Sequence, residues 1–214
     1  MLPVGPFQAN AYVVWDPDGA PGEGLLVDAG AEPERLLAEL VARSLTLTAI
    51  LQTHAHGDHI AALDDVVAAS SAPVYLHPDA EPMLRSADVN LSAFVGIPVQ
   101  SRVPYRPVRE GDALTLLGRT VGVLETPGHA SGSVCYHFAD DGVVFTGDAL
   151  FAGSIGRTDF PGGSHETLVT GIRDKLLALP DETIVYAGHM DSTTIGRERR
   201  ENPFLQRLDA RSAR

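Results

Sequence analysis

Apolar residues in the first half of the chain alternate between short continuous runs and longer stretches with helical spacing. The short runs are typical of strands in a buried sheet, whereas apolar residues three and four positions apart predict helices. Because strands and helices alternate, the pattern predicts an α/β architecture. The predicted strands cover residues 8–15, 24–27, 48–53 and 73–77, and the predicted helices cover residues 33–43 and 60–69.

The second half of the chain predicts hairpins, one further strand and two helices. Polar turn residues such as Asp140-Asp141-Gly142 separate paired apolar runs, and Ser164 is a candidate N-cap for a helix that ends before Pro180. Residues 86–109 show no clear period and are predicted to form a long loop with one short helix. The predicted hairpins cover residues 113–125 and 133–146, the strand covers 183–187, and the helices cover 165–179 and 194–211.

Composition and charge indicate an ordinary globular protein and restrict its partners. The 214 residues are 44% apolar and 21% charged, no linker divides them, and we expect a single domain over residues 1–214. The net charge of −12 argues against nucleic acid as a partner. No apolar run reaches the roughly 18 residues of a membrane span, and no secretion signal is visible, so we expect a cytoplasmic protein that does not bind membranes. Cys135 is the only cysteine, which excludes an internal disulfide.

Basic residues are concentrated at the end of the chain. Residues 197–214 carry six arginines against three acidic residues, a net charge of +3. This stretch is either the solvated face of a C-terminal helix or a local handle for an anionic substrate.

The densest cluster of metal-binding side chains is the run Thr53-His-Ala-His-Gly-Asp-His59. His54, His56, Asp58 and His59 lie within six positions, directly after the predicted buried strand 48–53. Imidazoles and carboxylates are the nitrogen and oxygen ligands that Zn²⁺ accepts in proteins. The run therefore predicts a metal site rather than a polar loop that happens to be rich in histidine.

Three more candidate ligands follow apolar runs that predict strands. His129, Asp148 and His189 each come directly after a glycine, which allows the backbone to turn sharply at the end of a strand. Seven candidate ligands exceed the three protein ligands of a catalytic Zn²⁺ site. They suit two metals about 3.5–4 Å apart that share one carboxylate and a bridging hydroxide.

With these seven residues the chain resembles the metallo-β-lactamase superfamily over nearly its whole length. The resemblance implies an α/β fold in which two mixed β-sheets lie between helices, a four-layer αβ/βα sandwich. It also implies that Asp148 bridges two metals, and Asp58 and Asp148 are the carboxylates we assign to catalysis. The first metal is then held by His54, His56 and His129, and the second by Asp58, His59 and His189.

The chemistry that this resemblance implies is hydrolysis by an ionised water molecule. Two divalent cations lower the pKa of a bridging water to about 7 or below and polarise the carbonyl under attack, so no serine or cysteine nucleophile is needed. The ligands favour two Zn²⁺ ions, although Fe²⁺ or Mn²⁺ also fit. Asp28 is either a plain turn residue or, as the family pattern implies, the partner that orients a ligating histidine.

Residues 10–14, 151–163 and 194–205 are similar to glyoxalase II, and more narrowly to its short bacterial subgroup. Glyoxalase II hydrolyses the thioester S-D-lactoylglutathione, whose thiolate is a good leaving group. The resemblance predicts a small-molecule thioester of a glutathione-type thiol as the substrate. Arg157 matches a basic position that contacts glutathione, and Phe160 in the same stretch is a second candidate substrate contact. The alternative for Arg157 is a salt bridge within its loop.

Two other functions are compatible with the sequence. A persulfide dioxygenase shares the stretch Gly156-Arg-Thr-Asp-Phe160 and uses one iron, held by the positions that match His54, His129 and Asp148. The second alternative is a metal-binding module without catalytic activity. Nuclease and β-lactamase roles rank lower, because the chain is acidic and lacks a secretion signal.

Overall fold

The first half of the chain forms a mixed six-stranded β-sheet in a computed structural model that describes residues 1–206. Its strands are β1 (Leu2–Val4), β2 (Ala9–Val14), β3 (Glu23–Val27), β4 (Thr46–Leu51), β5 (Val74–Leu76) and β6 (Tyr105–Pro107). They lie side by side in chain order. Pairing is antiparallel from β1 to β3 and parallel from β3 to β6.

The second half of the chain forms another mixed sheet and a small ribbon. Its strands are β7 (Ala113–Leu116), β8 (Arg119–Glu125), β9 (Val134–Phe138), β10 (Val143–Gly147), β11 (Leu150–Phe151), β12 (Ser154–Ile155), β13 (Ile184–Ala187) and β14 (Thr193–Thr194). Strands β11 and β12 pair with each other, and the other six form a sheet in the order β14-β13-β10-β9-β8-β7. Only β10 and β13 run parallel in this sheet.

Helices cover the outer face of each sheet. The helices packed on the first sheet are α1 (Pro33–Ala42), α2 (Gly57–Ile60), α3 (Leu63–Ser70) and α4 (Glu81–Arg85). Those packed on the second sheet are α5 (His165–Gly171), α6 (Ile195–Glu201) and α7 (Pro203–Gln206), together with the π-helical segment Ile172–Leu176. The predicted αβ/βα sandwich is therefore confirmed.

Strand β9 shows how one alternating sequence pattern contributes to two apolar layers. Val134 and Tyr136 point into the layer between the two sheets, where they pack with residues such as Phe145. Cys135, between them, points the other way into the layer under α5, where it packs near Leu168. Alternation along a strand places successive side chains on opposite faces, so β9 contributes to both layers. Residues packed against β9 then bury apolar surface on both faces of the strand, and this burial is the main contribution to the stability of the fold.

The structure differs from the sequence prediction in several places. The helix predicted over residues 60–69 begins only at Leu63 as α3, and the separate single turn α2 before it ends at Ile60. The loop predicted over residues 86–109 contains β6, a three-residue strand that ends at Pro107; it is an edge strand, where proline is tolerated because one side needs no ladder hydrogen bond. The helix predicted over residues 194–211 is interrupted at Asn202, since Pro203 lacks the N–H that a continuous helix requires; residues 207–211 lie outside the described residues.

No helix within residues 1–206 is long and apolar enough to pass through a membrane.

Candidate metal centre

The seven predicted ligands lie where strands of both sheets end. His54 and His56 follow β4, and Asp58 and His59 lie in the single-turn helix α2 that comes next. His129, Asp148 and His189 follow β8, β10 and β13 of the second sheet. The two sheets therefore each contribute one side of the cluster.

Two glycines allow this close approach. Gly147 has a positive φ of 49°, and a Cβ at this position would collide with the hydroxyl of Thr53. A Cβ at Gly188 would collide with the carboxylate of Asp148 and would lie 2.8 Å from His59 Cε1. Because only glycine lacks a Cβ, these positions let the ends of β10 and β13 reach the ligands of the first sheet.

The first ligand group consists of His54, His56 and His129, all of which are buried. One nitrogen of each lies within 4.8 Å of the others. His56 Nδ1 and His129 Nε2 are 2.9 Å apart, and the buried His54 Nε2 atom has no hydrogen-bond partner within residues 1–206. Three imidazoles that present nitrogens to one point are a typical set of zinc ligands.

The second ligand group consists of Asp58, His59 and His189. His189 Nε2 lies 3.4 Å from Asp58 Oδ2 and 3.4 Å from His59 Nε2. This group is more open than the first, since the side chains of Asp58 and His189 are 25% and 21% exposed while that of His59 is buried.

Asp148 lies between the two groups. Its Oδ2 atom is 3.5 Å from His129 Nε2 in the first group and 3.5 Å from His189 Nε2 in the second. Its Oδ1 atom is buried 3.4 Å from His59 Nε2 and has no hydrogen-bond partner in the part of the chain that the structure describes. This is the position expected of a carboxylate shared by two metals.

These distances fit metal ligands. Two ligand atoms that each lie about 2.0–2.1 Å from a tetrahedral ion are roughly 3.3 Å apart. The contacts among His59, His189, Asp58 and Asp148 are close to that spacing. Buried polar atoms are rarely left without a partner, so the free atoms of His54 and Asp148 also indicate that a cation belongs here. The donor set thus suits two divalent ions.

Each of four histidines is oriented through the ring nitrogen that faces away from the cluster. The Nδ1 atoms of His129 and His189 donate to the backbone carbonyls of Arg157 at 2.9 Å and Phe7 at 3.2 Å. His59 Nδ1 donates to Asp28 Oδ2 at 2.9 Å. His54 reaches the same carboxylate indirectly through Thr53.

The link between His54 and Asp28 runs through one hydroxyl. His54 Nδ1 lies 3.1 Å from Thr53 Oγ1, and that hydroxyl donates to Asp28 Oδ2 at 2.7 Å. The other oxygen of Asp28 accepts the backbone N–H of Thr53 at 2.8 Å. Partners of this kind fix the ring orientation and tautomer, which leaves Nε2 as the lone-pair donor. Of the two interpretations of Asp28, the structure favours the one in which it orients a histidine.

Electrostatics divide the histidines into two sets. Burial lowers the pKa of His54, with the other histidines adding to the effect, and it also lowers the pKa of His56 to about 3 and that of His129. Burial alone would also lower the pKa of His59 and His189, but the neighbouring carboxylates outweigh it and raise both. The first group is therefore neutral, and the second contains ion pairs.

Both carboxylates of the cluster are ionised. Burial would raise the pKa of Asp58 and Asp148, but the charge of His59 and the other histidines outweighs it and lowers both. Ionised oxygens are the form in which carboxylates bind metals.

The two predicted substrate contacts flank the first ligand group. The Phe160 ring meets the rings of His56 and His129 edge to face, at centroid distances of 5.7 and 6.2 Å. The Arg157 guanidinium lies over Phe160, 4.2 Å from its centroid, and forms a two-pronged ion pair with Asp159 at 2.9–3.0 Å. Arg157 thus makes the salt bridge within its loop and also lies next to the cluster.

The basic stretch near the end of the chain is engaged in local contacts as far as the described residues extend. Arg199 and Arg200 pair with Asp181, and Arg197 pairs with Glu201 at 3.3 Å. These contacts favour a solvated helix face over a substrate handle.

Sequence reasoning included Asp28 among the groups that could support a ligand but missed the others. Thr53 carried a signal because it precedes His54, but the carbonyls of Phe7 and Arg157 are backbone groups that any residue supplies. Glu198 was also missed: it is 1% exposed, and its carboxylate accepts hydrogen bonds from Gly153 N at 2.9 Å and from the Thr193 hydroxyl.

Comparisons with known proteins agree with this geometry. A family model for the metallo-beta-lactamase superfamily matches residues 4–189. The chain is 44% identical to the probable metallo-hydrolase YqgX of Bacillus subtilis, over 95% of both chains. It is 37% identical to the hydroxyacylglutathione hydrolase GloC of Haemophilus influenzae, over 96% of both chains.

Solved structures give the same result. The BLEG-1 B3 metallo-beta-lactamase superposes with a TM-score of 0.90 at 43% identity, covering 95% of this chain and 97% of that chain. TTHA1623 in a di-iron-bound form gives a TM-score of 0.84 at 41% identity, covering 95% of this chain and 98% of that chain. ETHE1 from Myxococcus xanthus gives a TM-score of 0.74 at 32% identity, covering 92% of this chain and 79% of that chain.

Proposed function

The chain belongs to the metallo-beta-lactamase superfamily, and we propose that it is a thioesterase that hydrolyses substrates of the S-D-lactoylglutathione type. The coarser assignment, a metallo-hydrolase, follows from the family and from the relatives. The thioester substrate is supported by the similarity to a hydroxyacylglutathione hydrolase. We further propose that the protein is cytoplasmic, that its substrate is a small molecule, and that nucleic acids and membranes are not partners.

One observation favours a hydrolase with two metals over an enzyme that uses a single metal. The second ligand group is complete, and Asp148 lies 3.5 Å from a histidine of each group. A single iron would need only His54, His129 and Asp148, whereas a hydrolase that uses two cations would need the ligands of both groups.

The chain's own residues supply the remaining requirements. Two divalent cations, Zn²⁺ or alternatively Fe²⁺ or Mn²⁺, would supply Lewis acidity that ionises water near neutral pH and polarises a carbonyl. Asp58 is ionised, and its Oδ2 atom lies 3.4 Å from His189 Nε2, so this carboxylate would hold the second metal together with His59 and His189. The thiolate of a thioester leaves without protonation, which matches a centre whose carboxylates Asp58 and Asp148 are both ionised.

We place the thiol half of the substrate, the glutathione moiety, next to the first ligand group. Phe160 offers an aromatic surface beside His56, and the Arg157 guanidinium over that ring is suited to a carboxylate. We propose that these two residues contact the glutathione moiety.

The second candidate is a persulfide dioxygenase with one iron, because such enzymes share the stretch Gly156-Arg-Thr-Asp-Phe160 with this chain. The two candidates differ in metal stoichiometry and in their need for oxygen. They also share the ligands His54, His129 and Asp148, so a substitution at those positions would not separate them.

The test combines elemental analysis of the purified protein with paired assays. We expect two metals per chain and anaerobic hydrolysis of S-D-lactoylglutathione that is abolished by a chelator. One iron per chain, with oxygen uptake on glutathione persulfide, would contradict the proposal. A chromogenic cephalosporin should be included, because faster turnover of that β-lactam than of the thioester would also contradict it. Two metals with no activity on any of the three would indicate a catalytically silent module.

A further inference from the structure

One buried side chain, that of Asn10, holds the backbone on both sides of His189. Asn10 lies in β2 of the first sheet and is 2% exposed, whereas His189 follows β13 of the second sheet. Its Nδ2 atom donates to the carbonyl of Ala187 at 3.1 Å and to that of Met190 at 2.8 Å. Its backbone N–H donates to the carbonyl of Gly188 at 2.7 Å. Three donors of one residue therefore reach three carbonyls around His189.

The backbone at this point has little room for adjustment. A Cβ at Gly188 would collide with the carboxylate of Asp148, so the chain runs directly against another ligand. Met190 has a φ of 66°, which is uncommon for a residue with a side chain. A segment that is both crowded and left-handed keeps its conformation only when its surroundings hold it there. The hydrogen bonds from Asn10 are such a restraint.

We propose that Asn10 is a positioning residue for His189 and thereby sets the metal affinity of the second ligand group. This inference rests on the proposed function, in which that group binds a metal. All three acceptors are carbonyl oxygens, and an amide side chain supplies two N–H donors without introducing charge. An ionised aspartate has the same shape but no donor, and it would place a carboxylate against the carbonyls of Ala187 and Met190.

The test is a metal titration of wild-type protein and Asn10→Asp after chelation, with Zn²⁺ and a competing chromogenic chelator. We expect the first Zn²⁺ to bind both proteins with equal affinity. The second should bind Asn10→Asp about 10- to 100-fold more weakly, which is the usual cost of removing a group that supports a metal ligand. Equal affinities for both ions in the two proteins would overturn the inference.

A matched control separates positioning from general loosening of the fold. Asn202 is also fully buried, and its Nδ2 atom donates to Ser154 O at 3.0 Å and to Glu198 Oε2 at 2.8 Å. Asn10→Ala and Asn202→Ala each remove two donated hydrogen bonds, so both should unfold at a lower temperature. Only Asn10→Ala should lose affinity for the second Zn²⁺. An equal loss in Asn202→Ala would overturn the specific role of Asn10.

A double-mutant cycle tests whether Asn10 acts through His189. In a His189→Ala background, Asn10→Asp should cause no further loss of metal affinity; an additional loss of the same size as in the wild type would contradict the proposal. The proposed function and the role of Asn10 are contradicted by different results. Wild-type protein that binds two metals without hydrolysing thioesters contradicts the proposed function only, whereas unchanged binding in Asn10→Asp contradicts the role of Asn10 only.

Discussion

The two ligand groups of the candidate metal centre lie side by side but are built differently. The first contains three buried imidazoles, and burial lowers the pKa of each. The second combines the carboxylate of Asp58 with His59 and His189, two imidazoles whose pKa is raised by carboxylates, and it is partly exposed. The first group is thus a neutral enclosed set, and the second is an ion-paired set at the surface.

The supports of the two groups differ as well. Asp28 contacts His59 directly but reaches His54 only through the hydroxyl of Thr53. His189 depends on a carbonyl 182 positions away along the chain, that of Phe7. Because the second group depends more on distant contacts, we expect substitutions outside the ligands to weaken it before they weaken the first. The following predictions test this difference.

The largest effect is expected from Asp148→Asn, because this residue serves both groups. The amide removes the negative charge that lies between His129 and His189. We expect metal content to fall and kcat/KM for the thioester to drop by more than the roughly 10- to 100-fold that loss of a supporting group costs. Elemental analysis and steady-state kinetics measure both. Asp112→Asn, at a turn where the carboxylate accepts Arg109 N–H, is the control and should change neither.

A smaller and more selective effect is expected from Asp58→Ala. This change removes a ligand of the second group while leaving the three histidines of the first. We expect about one metal per chain to remain and hydrolysis to be largely lost, since water is no longer activated between two cations. The reciprocal variant His56→Ala should weaken the first group instead. If Asp58→Ala retained two metals and full activity, the division into two groups would be wrong.

Replacement of Asp28 by Asn tests the supports rather than the ligands. Asp28 has a φ of 57°, a conformation that asparagine tolerates, so the backbone should be preserved. We expect about a 10- to 100-fold loss of metal affinity that is larger for the second group, where the contact to His59 is direct. Thr53→Val removes only the link to His54 and should affect the first group. Equal losses in both groups for both variants, measured by Zn²⁺ titration, would contradict the comparison.

A control for charge is available at the turn after β2. Asp16 accepts two backbone N–H groups, from Asp18 and Gly19 at 2.9–3.0 Å, and pairs with Arg119 at 2.7 Å. Asp16→Asn makes the same chemical change as Asp28→Asn but at a carboxylate that contacts no histidine among the described residues. Its metal affinities should equal those of the wild-type protein.

The ligands could be predicted from the sequence because each has a local signal. A buried strand, a glycine and then His129, Asp148 or His189 form a pattern that is complete within a few residues. Apart from Asp28 and Thr53, the supports had no such signal. Asn10 lies 177 and 180 positions from its acceptors, and only the folded chain brings them together. The regularity of the ligand pattern therefore says nothing about how firmly each ligand is held.

The strands show the same difference between features with a local sequence signal and features that only the folded chain creates. Long strands with strong apolar patterns, such as β2 and β8, were predicted within a few residues. The short strands β6 and β14 were not, because three or two residues cannot establish a period. They exist because the edge of a neighbouring strand offers hydrogen-bond partners, which is a tertiary effect.

The smallest effect is expected from Arg157→Ala, which tests on which side of the centre the thiol half of the substrate lies. The Arg157 side chain is 64% exposed and its guanidinium is already paired with Asp159, so its net contribution to binding should be modest. We expect KM for S-D-lactoylglutathione to rise roughly two- to fivefold with kcat unchanged, which corresponds to the range of exposed ion pairs. Asp159→Asn, which frees the guanidinium, should lower KM instead. Arg173→Ala is the matched control, because Arg173 forms a similar two-pronged pair with its neighbour Asp174 at 2.7–3.1 Å. An unchanged KM in both Arg157→Ala and Asp159→Asn would remove Arg157 from the substrate site and leave the more open second group as the side on which the thiol is bound.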